Sequence, residues 1–356
     1  MNNYKTVFAL ILLSLFIELP STRAQKALFS TEGRQPALFV GSDGTLDLVF
    51  GKGNAIYYSH SEDEGATFST PMLVDSLTGL HLGVSRGPRI ASSRQTVVIT
   101  AVDRLGDLYA YTLNRAKGTW GTRSRVNDIP EVAKEGFNAL AGDGEGRFFV
   151  TWLDLRNDKK NKIFGATSTD DGKTWNKNRL VYRSPDSTVC ECCQPTAVMK
   201  GSEVYVMFRN WISGSRDMYV AHSMDGGQSF QPPQKMGEGT WKLNACPMDG
   251  GDLSVGSNDG FITVWRRNNQ LYLSRPGEKE QPIAEGRNAS VAVSSSSTFI
   301  VWHQAGQVWY RVPEKNISIV LGNGRYPRVV SLSNNQAFCV WEDEGTIRGK
   351  VLGRTE

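Results

Sequence analysis

The sequence has little of what marks a helical, a membrane-spanning or a nucleic-acid-binding protein. Apolar residues at helical spacing are scarce, and only one stretch is apolar enough to meet a membrane. The 40 Lys and Arg residues are nearly balanced by 36 Asp and Glu residues, so the net charge of +4 does not favour a nucleic-acid partner. A hydrophobic content of 39% also excludes a disordered chain. These absences leave a globular protein rich in β-strands.

The one long apolar run, residues 7–19, is too short to cross a bilayer. It is preceded by Lys5 and followed by a Thr-Arg-Ala triplet that ends at Ala24, which is the small-x-small pattern of a cleavage site. The pattern predicts a signal peptide at residues 1–24, no transmembrane segment, and export to the periplasm or the exterior. A buried N-terminal helix is the alternative. The mature domain is then residues 25–356.

One pattern is repeated seven times along the mature chain. Each copy has a short apolar strand, a polar turn and a second strand that ends in an aromatic or similar residue, and a third strand follows most copies. Repetition at a regular interval is the signature of a repeat architecture. The copies occupy residues 36–50, 88–102, 138–152, 195–208, 252–265, 289–302 and 327–341.

A second motif, S-x-D-x-G-x-[TS]-[FW], follows three of the copies at residues 61–68, 168–175 and 223–230. In such a turn the aspartate accepts hydrogen bonds from nearby backbone N–H groups, the glycine takes a positive φ and the aromatic residue packs into the fold. These motifs are Asp-boxes, and the mature chain resembles the sialidase-like (BNR/Asp-box) β-propeller superfamily. The resemblance implies that the boxes are structural and lie on the face away from a ligand site.

The seven copies predict an all-β protein, a β-propeller of seven four-stranded blades. Six blades are the alternative if one terminal copy is not a complete blade, and six is the number that sialidases have. The last copy supplies three strands. Residues 26–30 could supply its fourth, so we expect the two termini to pair and close the ring.

Several arginines occupy equivalent positions at the starts of blades. Arg34, Arg86 and Arg325 each stand two residues before a proline, and Arg209 ends a second strand. These positions face the mouth of the central channel, where propeller loops usually bind ligands. Guanidinium groups suit carboxylate, sulfate or phosphate, so the pattern indicates a pocket for an anionic ligand. The alternative is ion pairing with carboxylates of neighbouring blades, for which the candidates are Asp103, Asp154, Asp249 and Glu342.

The family resemblance implies a role for some of these arginines. Arg34-Gln35-Pro36 is placed like the Arg-Ile-Pro motif of sialidases, whose arginine is one of three that hold the carboxylate of sialic acid. By blade position, Arg209 and Arg325 are the expected second and third members.

The resemblance also implies a catalytic set of a tyrosine nucleophile, a glutamate that activates it and an aspartate acid/base. Tyr326 is the candidate nucleophile, with Glu191 or Glu135 as its partner. Asp103 is the candidate acid/base and Asp75 its alternative. No motif supports these assignments, and packing is the alternative role for Tyr326.

Four of the five cysteines fall in two loops that open neighbouring blades, as Cys190, Cys192 and Cys193 in one and Cys246 in the other. Disulfides are the default expectation in an exported protein, with Cys246 joined to one of the three. A strained bridge between Cys192 and Cys193 is a further possibility. A soft-metal site for Cu(I) or Zn, or a redox role, are the alternatives. Cys339 is expected to be a buried core thiol.

Two functions follow as hypotheses. The first is an exo-glycosidase that acts on sialylated or other anionic glycans by a retaining mechanism with a tyrosine nucleophile. The second is a non-catalytic propeller that binds a glycan, a protein or a soft metal through the arginines and the cysteine cluster, which typical sialidases lack. We expect a monomer and no cofactor apart from the soft-metal alternative.

Overall fold

The computed structural model describes residues 29–353 apart from 187, 257–259, 313–315 and 334. The predicted signal peptide lies outside the described residues. The regular elements of the described part are β-strands, and within it no helix has the length and apolarity needed to cross a membrane.

The first fourteen strands are β1 (Phe29–Glu32), β2 (Arg34–Val40), β3 (Leu46–Lys52), β4 (Ala55–Ser61), β5 (Met72–Ser76), β6 (Arg89–Ser92), β7 (Thr96–Val102), β8 (Leu108–Asn114), β9 (Thr119–Trp120), β10 (Ser124–Arg125), β11 (Asn138–Gly142), β12 (Phe148–Asp154), β13 (Lys162–Ser168) and β14 (Arg179–Tyr182). The others are β15 (Thr196–Lys200), β16 (Glu203–Arg209), β17 (Met218–Ser223), β18 (Gln234–Lys235), β19 (Asp252–Val255), β20 (Phe261–Arg267), β21 (Gln270–Ser274), β22 (Gln281–Glu285), β23 (Arg287–Val293), β24 (Thr298–Gln304), β25 (Gln307–Val312), β26 (Ile317–Asn323), β27 (Arg325–Ser331), β28 (Ala337–Asp343) and β29 (Thr346–Leu352).

These strands form seven antiparallel sheets, which we number as blades I to VII. Blades I to VI are β2–β5, β6–β10, β11–β14, β15–β18, β19–β22 and β23–β26, and blade VII is β27–β29 with β1. Blade II differs in that β9 and β10 share the outer position beside β8. The prediction of seven four-stranded blades is therefore confirmed.

The two ends of the chain close the ring. Strand β1 pairs antiparallel with β29, from Phe29 opposite Gly349 to Glu32 opposite Thr346. Phe29 packs into the core between blades VII and I, with its ring 4.4 Å from that of Phe68. The closure predicted from the sequence is confirmed, although the paired segment is residues 29–32 and residues 26–28 lie outside the described part.

The core lies between the blades, because each sheet buries both faces against its neighbours. The second strands carry the largest buried residues, and Trp152, Trp302 and Trp341 at their ends are almost fully buried. Burying an aromatic side chain contributes roughly 1.5–3 kcal/mol. The aromatics at the ends of these second strands therefore contribute to the packing between neighbouring blades.

The three Asp-boxes have the same hydrogen bonds. In the first, Asp63 accepts from the backbone N–H and the hydroxyl of Thr67 at 2.8 and 2.6 Å, and Gly65 N–H donates to Ser61 Oγ at 2.8 Å. A Cβ on Gly65 would lie 2.4 Å from the Phe338 ring of the preceding blade. The boxes connect third to fourth strands, and so they lie on the face opposite the channel mouth described next. Their predicted structural role agrees with this geometry.

Candidate ligand site at the channel mouth

The loops that join the last strand of one blade to the first strand of the next differ sharply around the ring. Between blades I and V these loops are long, covering residues 77–88, 126–137, 183–195 and 236–251. Around blades VI, VII and I each connection is a single glycine, Gly286, Gly324 or Gly33. The long loops between blades I and V therefore form a high wall on one side of the channel mouth, which we call its high side. The single-glycine connections leave the other side low.

Each single glycine is followed by an arginine that begins the innermost strand. Arg287, Arg325 and Arg34 hold equivalent positions on blades VI, VII and I, and a β-bulge follows each of them. The next residues, Gln35, Asn288 and Tyr326, have φ of 52°, 49° and 53°. The three arginines thus start from the same backbone geometry on three adjacent blades, at a bulge that re-aims the side chain. Arg287 is not among the binding residues predicted from the sequence, although the repeated Gly-Arg pair marks it as equivalent to Arg34 and Arg325.

The bulges are held by side chains at the mouth. Gln35 donates from its backbone N and from Nε2 to Glu342 Oε2 at 3.1 and 3.2 Å, while Arg34 Nε donates to Glu342 Oε1 at 3.1 Å. Asn288 N–H donates to Asp249 at 2.9 Å. Glu342 and Asp249 therefore accept hydrogen bonds from the backbone of the bulges, and Glu342 also pairs with Arg34, whose side chain remains 47% exposed.

Tyr326 and His303 form the third of these contacts. The backbone N–H of Tyr326 donates to Nδ1 of His303 at 3.4 Å, and the two rings meet edge to face with centroids 5.8 Å apart. Burial, together with Arg287 and Arg325, lowers the pKa of His303 to about 4. His303 is therefore neutral at physiological pH, with its proton on Nε2. The side chain that contacts Tyr326 is therefore a neutral imidazole, whereas the family resemblance implied a glutamate at this place.

Arg86 stands on the high side of the mouth, in the loop 77–88. Its Nε donates to the carbonyl of Glu135 at 2.6 Å, and its guanidinium lies 4.0 Å above the Phe137 ring. The Glu135 carboxylate accepts from Asn161 at 3.2 Å, and burial raises the pKa of Glu135. This carboxyl group holds its proton to a higher pH than a solvated glutamate.

Arg209 is placed differently from the other predicted binding arginines. Its side chain is buried, and Nε, Nη1 and Nη2 donate to the backbone carbonyls of Asp249, Arg216 and Arg266 at 3.0, 2.7 and 3.0 Å. These hydrogen bonds connect three separate segments of blades IV and V: two loops and the end of β20. The structure gives Arg209 a bracing position below the mouth.

The predicted acid/base candidates are also engaged in local structure. Asp103 is buried and accepts from the backbone N–H groups of Gly106 and Asp107, both at 2.9 Å, within a turn. Asp75 lies on the outer strand β5 and pairs with Arg123 at 2.9 Å. Glu191 pairs with Arg216 at 3.6 Å on the high side of the mouth, across the ring from Tyr326. The predicted catalytic set is not brought together.

Three cysteine sulfurs converge in the loop 183–195. Cys190 Sγ lies 3.7 Å from Cys192 Sγ and 3.4 Å from Cys193 Sγ, and the three atoms all lie within 4.8 Å of one another. Hydrogen bonds from the other two thiols, with Arg209 and Arg216 nearby, lower the pKa of Cys190 well below its usual value. The pKa of Cys192 and of Cys193 is raised.

All five cysteines are free, and the structure does not support the disulfide predicted between Cys246 and the other loop. Cys246 is exposed and lies outside the group of three sulfurs. The distances within the group also exceed the roughly 2.05 Å of a disulfide bond. Cys339 is a buried core thiol, as predicted.

Below the mouth, polar side chains cross the channel. Arg328 of blade VII donates to Gln194 of blade IV at 2.9 Å, and Asp252 accepts from Ser290 at 2.7 Å. Arg89 is buried beside Arg328, and burial lowers its pKa to about 9. Beneath this layer the channel forms a cavity of about 360 Å³ lined by the innermost strands.

Comparisons with known proteins agree with the fold. The pattern that defines the BNR repeat-like domain matches residues 118–335. No curated protein matches the chain.

Solved structures resemble the chain at low sequence identity. A protein of unknown function from Dyadobacter fermentans is 15% identical, with 91% of this chain and 95% of that chain covered and a TM-score of 0.52. Virginiamycin B lyase from Staphylococcus aureus is 12% identical, with 92% and 99% covered and a TM-score of 0.56. NanB sialidase from Streptococcus pneumoniae is 12% identical, with 94% and 71% covered and a TM-score of 0.49. A fold shared with a lyase and with a protein of unknown function does not by itself assign a function.

Proposed function

The chain belongs to the BNR repeat-like domain family, and from this premise we propose that it binds an anionic glycan at the channel mouth. The ligand is a sugar that carries a carboxylate or a sulfate group, such as a sialylated glycan. The observation that carries the proposal is the threefold Gly-Arg start of Arg34, Arg287 and Arg325 on adjacent blades.

The arginines retain capacity for a ligand. Arg325 is exposed and Arg34 uses one nitrogen for Glu342. Nε of Arg287 is buried and, among the described residues, has no hydrogen-bond acceptor, while Nη2 donates to the carbonyl of Pro247 at 3.0 Å. A buried donor without an acceptor costs about 1–3 kcal/mol, which a carboxylate or sulfate oxygen would recover. The neutral His303 adds an Nε2–H donor at the same place.

The signal peptide predicted at residues 1–24 would bring the mature protein into contact with glycans outside the cytoplasm. Export to the periplasm or the exterior is therefore part of the proposal. The expected ligand is then a glycan of a cell surface or of the surrounding medium.

Hydrolysis of the bound glycan is the second candidate function. It rests on Glu135, whose raised pKa suits a general acid, and which lies beside Arg86 on the high wall of the mouth. Tyr326 stands across the mouth from Glu135, so a retaining mechanism with both residues would need the ligand to lie across the channel.

The experiment measures both binding and turnover. Purified protein is titrated with sialyllactose by calorimetry and incubated with a fluorogenic sialoside. Arg34→Ala, Arg287→Ala and Arg325→Ala are compared with Arg179→Ala, which removes an exposed arginine from the outer strand β14. Binding that the first three variants weaken and the fourth retains supports the proposal.

Loss of fluorescence release in Glu135→Gln, with binding unchanged, would support the hydrolase. Binding without turnover leaves the glycan-binding proposal in place and excludes hydrolysis of this substrate. If neither sialyllactose nor a sulfated disaccharide binds the folded protein, the proposal is wrong.

A further inference from the structure

We propose that Cys190, Cys192 and Cys193 form a three-thiolate site that binds a soft monovalent metal ion, Cu(I). The site lies in the loop 183–195 and is separate from the glycan site proposed above. The observation is the convergence of three sulfurs within 4.8 Å of one another.

The spacing of the sulfurs fits a bound metal ion. Three sulfurs that share one ion at a usual metal–sulfur distance of about 2.3 Å lie about 3.7 to 4.0 Å from one another. Two of the sulfur pairs here are 3.4 and 3.7 Å apart. The loop therefore holds the three ligands close to the positions that a metal requires, and binding needs only a small adjustment.

The local sequence explains this convergence. Cys193 stands two residues before Pro195. Arg34 and Arg325 hold the equivalent position on their blades, and so Cys193 lies at the channel mouth. The backbone N–H of Cys190 donates to the carbonyl of Arg209 at 3.0 Å, and Val189 forms a bridge with Asn210. The loop is thus fixed to the end of β16 on one side and to β15 on the other.

The surroundings favour a soft ion over a hard one. The sulfurs belong to residues that are 1% to 6% exposed, and the side chain of Met248 packs against them. The group contains no imidazole or carboxylate ligand. Thiolate and thioether ligands select Cu(I), whereas carboxylate and carbonyl oxygens select Mg²⁺, Ca²⁺ and Mn²⁺.

The number of ligands and the local charge distinguish Cu(I) from Zn²⁺. Structural zinc sites have four Cys, His or carboxylate ligands, and catalytic ones keep an open position for water, whereas this group offers three sulfurs on buried residues. Arg216 Nη1 also lies 2.9 Å from Cys190 Sγ. A guanidinium this close stabilises thiolates and repels a divalent ion twice as strongly as a monovalent one.

The test is a Cu(I) titration of the purified, reduced full chain in competition with the chromophoric chelator bicinchoninate under anaerobic conditions. We expect one Cu(I) per chain to be withheld from the chelator. Cys192→Ser should weaken binding by more than the roughly 100-fold that follows loss of an outer partner of a metal site. The exposed Cys246→Ser and the buried Cys339→Ala, which both lie outside the group, should bind as the parent does.

A second readout keeps the proposal testable if Cys192→Ser does not fold. In the parent protein, bound Cu(I) should protect three of the five thiols from alkylation, as mapped by mass spectrometry to Cys190, Cys192 and Cys193. Three results would overturn the proposal: no Cu(I) withheld by the reduced protein, tighter retention of Zn²⁺ than of Cu(I) against matched chelators, or retention that the Cys246→Ser variant loses.

Discussion

Nη1 of Arg216 donates a hydrogen bond of 2.9 Å to Sγ of Cys190, inside the group of three thiols. The same guanidinium stacks against Trp211, and Nε donates to the carbonyl of Leu243 at 3.2 Å, so its position is fixed. A fixed positive charge beside the sulfurs bears on which metal ion they accept, because a cation bound there lies within a few ångströms of it.

Replacement of Arg216 by glutamine should shift metal preference towards Zn²⁺. The change removes one positive charge, and that charge opposes a divalent ion more strongly than a monovalent one. We expect the ratio of Cu(I) to Zn²⁺ affinity to fall by about tenfold or more. Arg216→Lys keeps the charge and should preserve the ratio. An unchanged ratio in Arg216→Gln would show that charge does not set the preference.

Replacement of Asp63 by asparagine should destabilise the first Asp-box. Hydrogen bonds from Thr67 and Ser61 lower the pKa of Asp63 to about 2, and the loss of charge weakens these bonds. We expect a loss of about 1–3 kcal/mol in the free energy of unfolding at pH 7, measured by urea denaturation. Asp43→Asn, in the polar turn between β2 and β3, is the comparison.

The same boxes predict acid sensitivity. The pKa of Asp63 and of Asp225 is lowered to about 2 in the folded protein, so their stabilising effect is complete above pH 4 and is lost as the pH falls towards 2. The midpoint of thermal unfolding should fall across this range. A double variant Asp63→Asn and Asp225→Asn should show a smaller fall, and an unchanged pH profile would contradict the assignment.

The fold was predictable from the sequence because its signals are local. The polar turns, the terminal aromatics such as Trp341 and the aspartate of each Asp-box are all set by residues close together in the chain. Closure by β1 followed from counting strands in the last copy. The seven blades needed no long-range information beyond the repeat itself.

The site was less predictable, because it depends on contacts between distant segments. Nothing near Arg209 in sequence indicates that the carbonyls of Asp249 and Arg266 would meet its guanidinium. Pairing of Cys246 was expected from its type and its loop, but disulfide formation depends on side-chain distance. Register did place Cys193 at the mouth, because a position before a proline is a local signal.

His303 should make stability depend on pH between about 4 and 6.5. Burial, with Arg287 and Arg325 nearby, lowers its pKa to about 4 in the folded protein. The unfolded chain takes up a proton near pH 6.5 and the folded one does not, so stability falls as the pH drops through this window. In His303→Asn the slope of melting temperature against pH should be smaller. Part of this pH dependence should remain in the variant, because burial also lowers the pKa of His81.

Arg325 and Arg209 should differ in what their loss does. Arg325→Ala removes an exposed side chain and should change the free energy of unfolding by less than about 0.5 kcal/mol while weakening glycan binding. Arg209→Leu leaves three carbonyls without their donor and should cost at least about 3 kcal/mol. Chemical denaturation with calorimetric titration distinguishes the two. A large stability loss in Arg325→Ala would show that Arg325, like Arg209, has a structural role.

Gly324→Ala should destabilise blade VII, because this glycine is the whole connection between β26 and β27. Its φ is 137°, and an added Cβ would lie 2.5 Å from both the Glu342 carbonyl oxygen and the Trp341 ring. We expect a loss of about 2–4 kcal/mol in the free energy of unfolding. Gly345→Ala, at φ of 83° with open space around the new Cβ, should lose only the backbone cost of about 1–2 kcal/mol. Equal losses in the two variants would mean that the close packing of the single-residue connection contributes nothing.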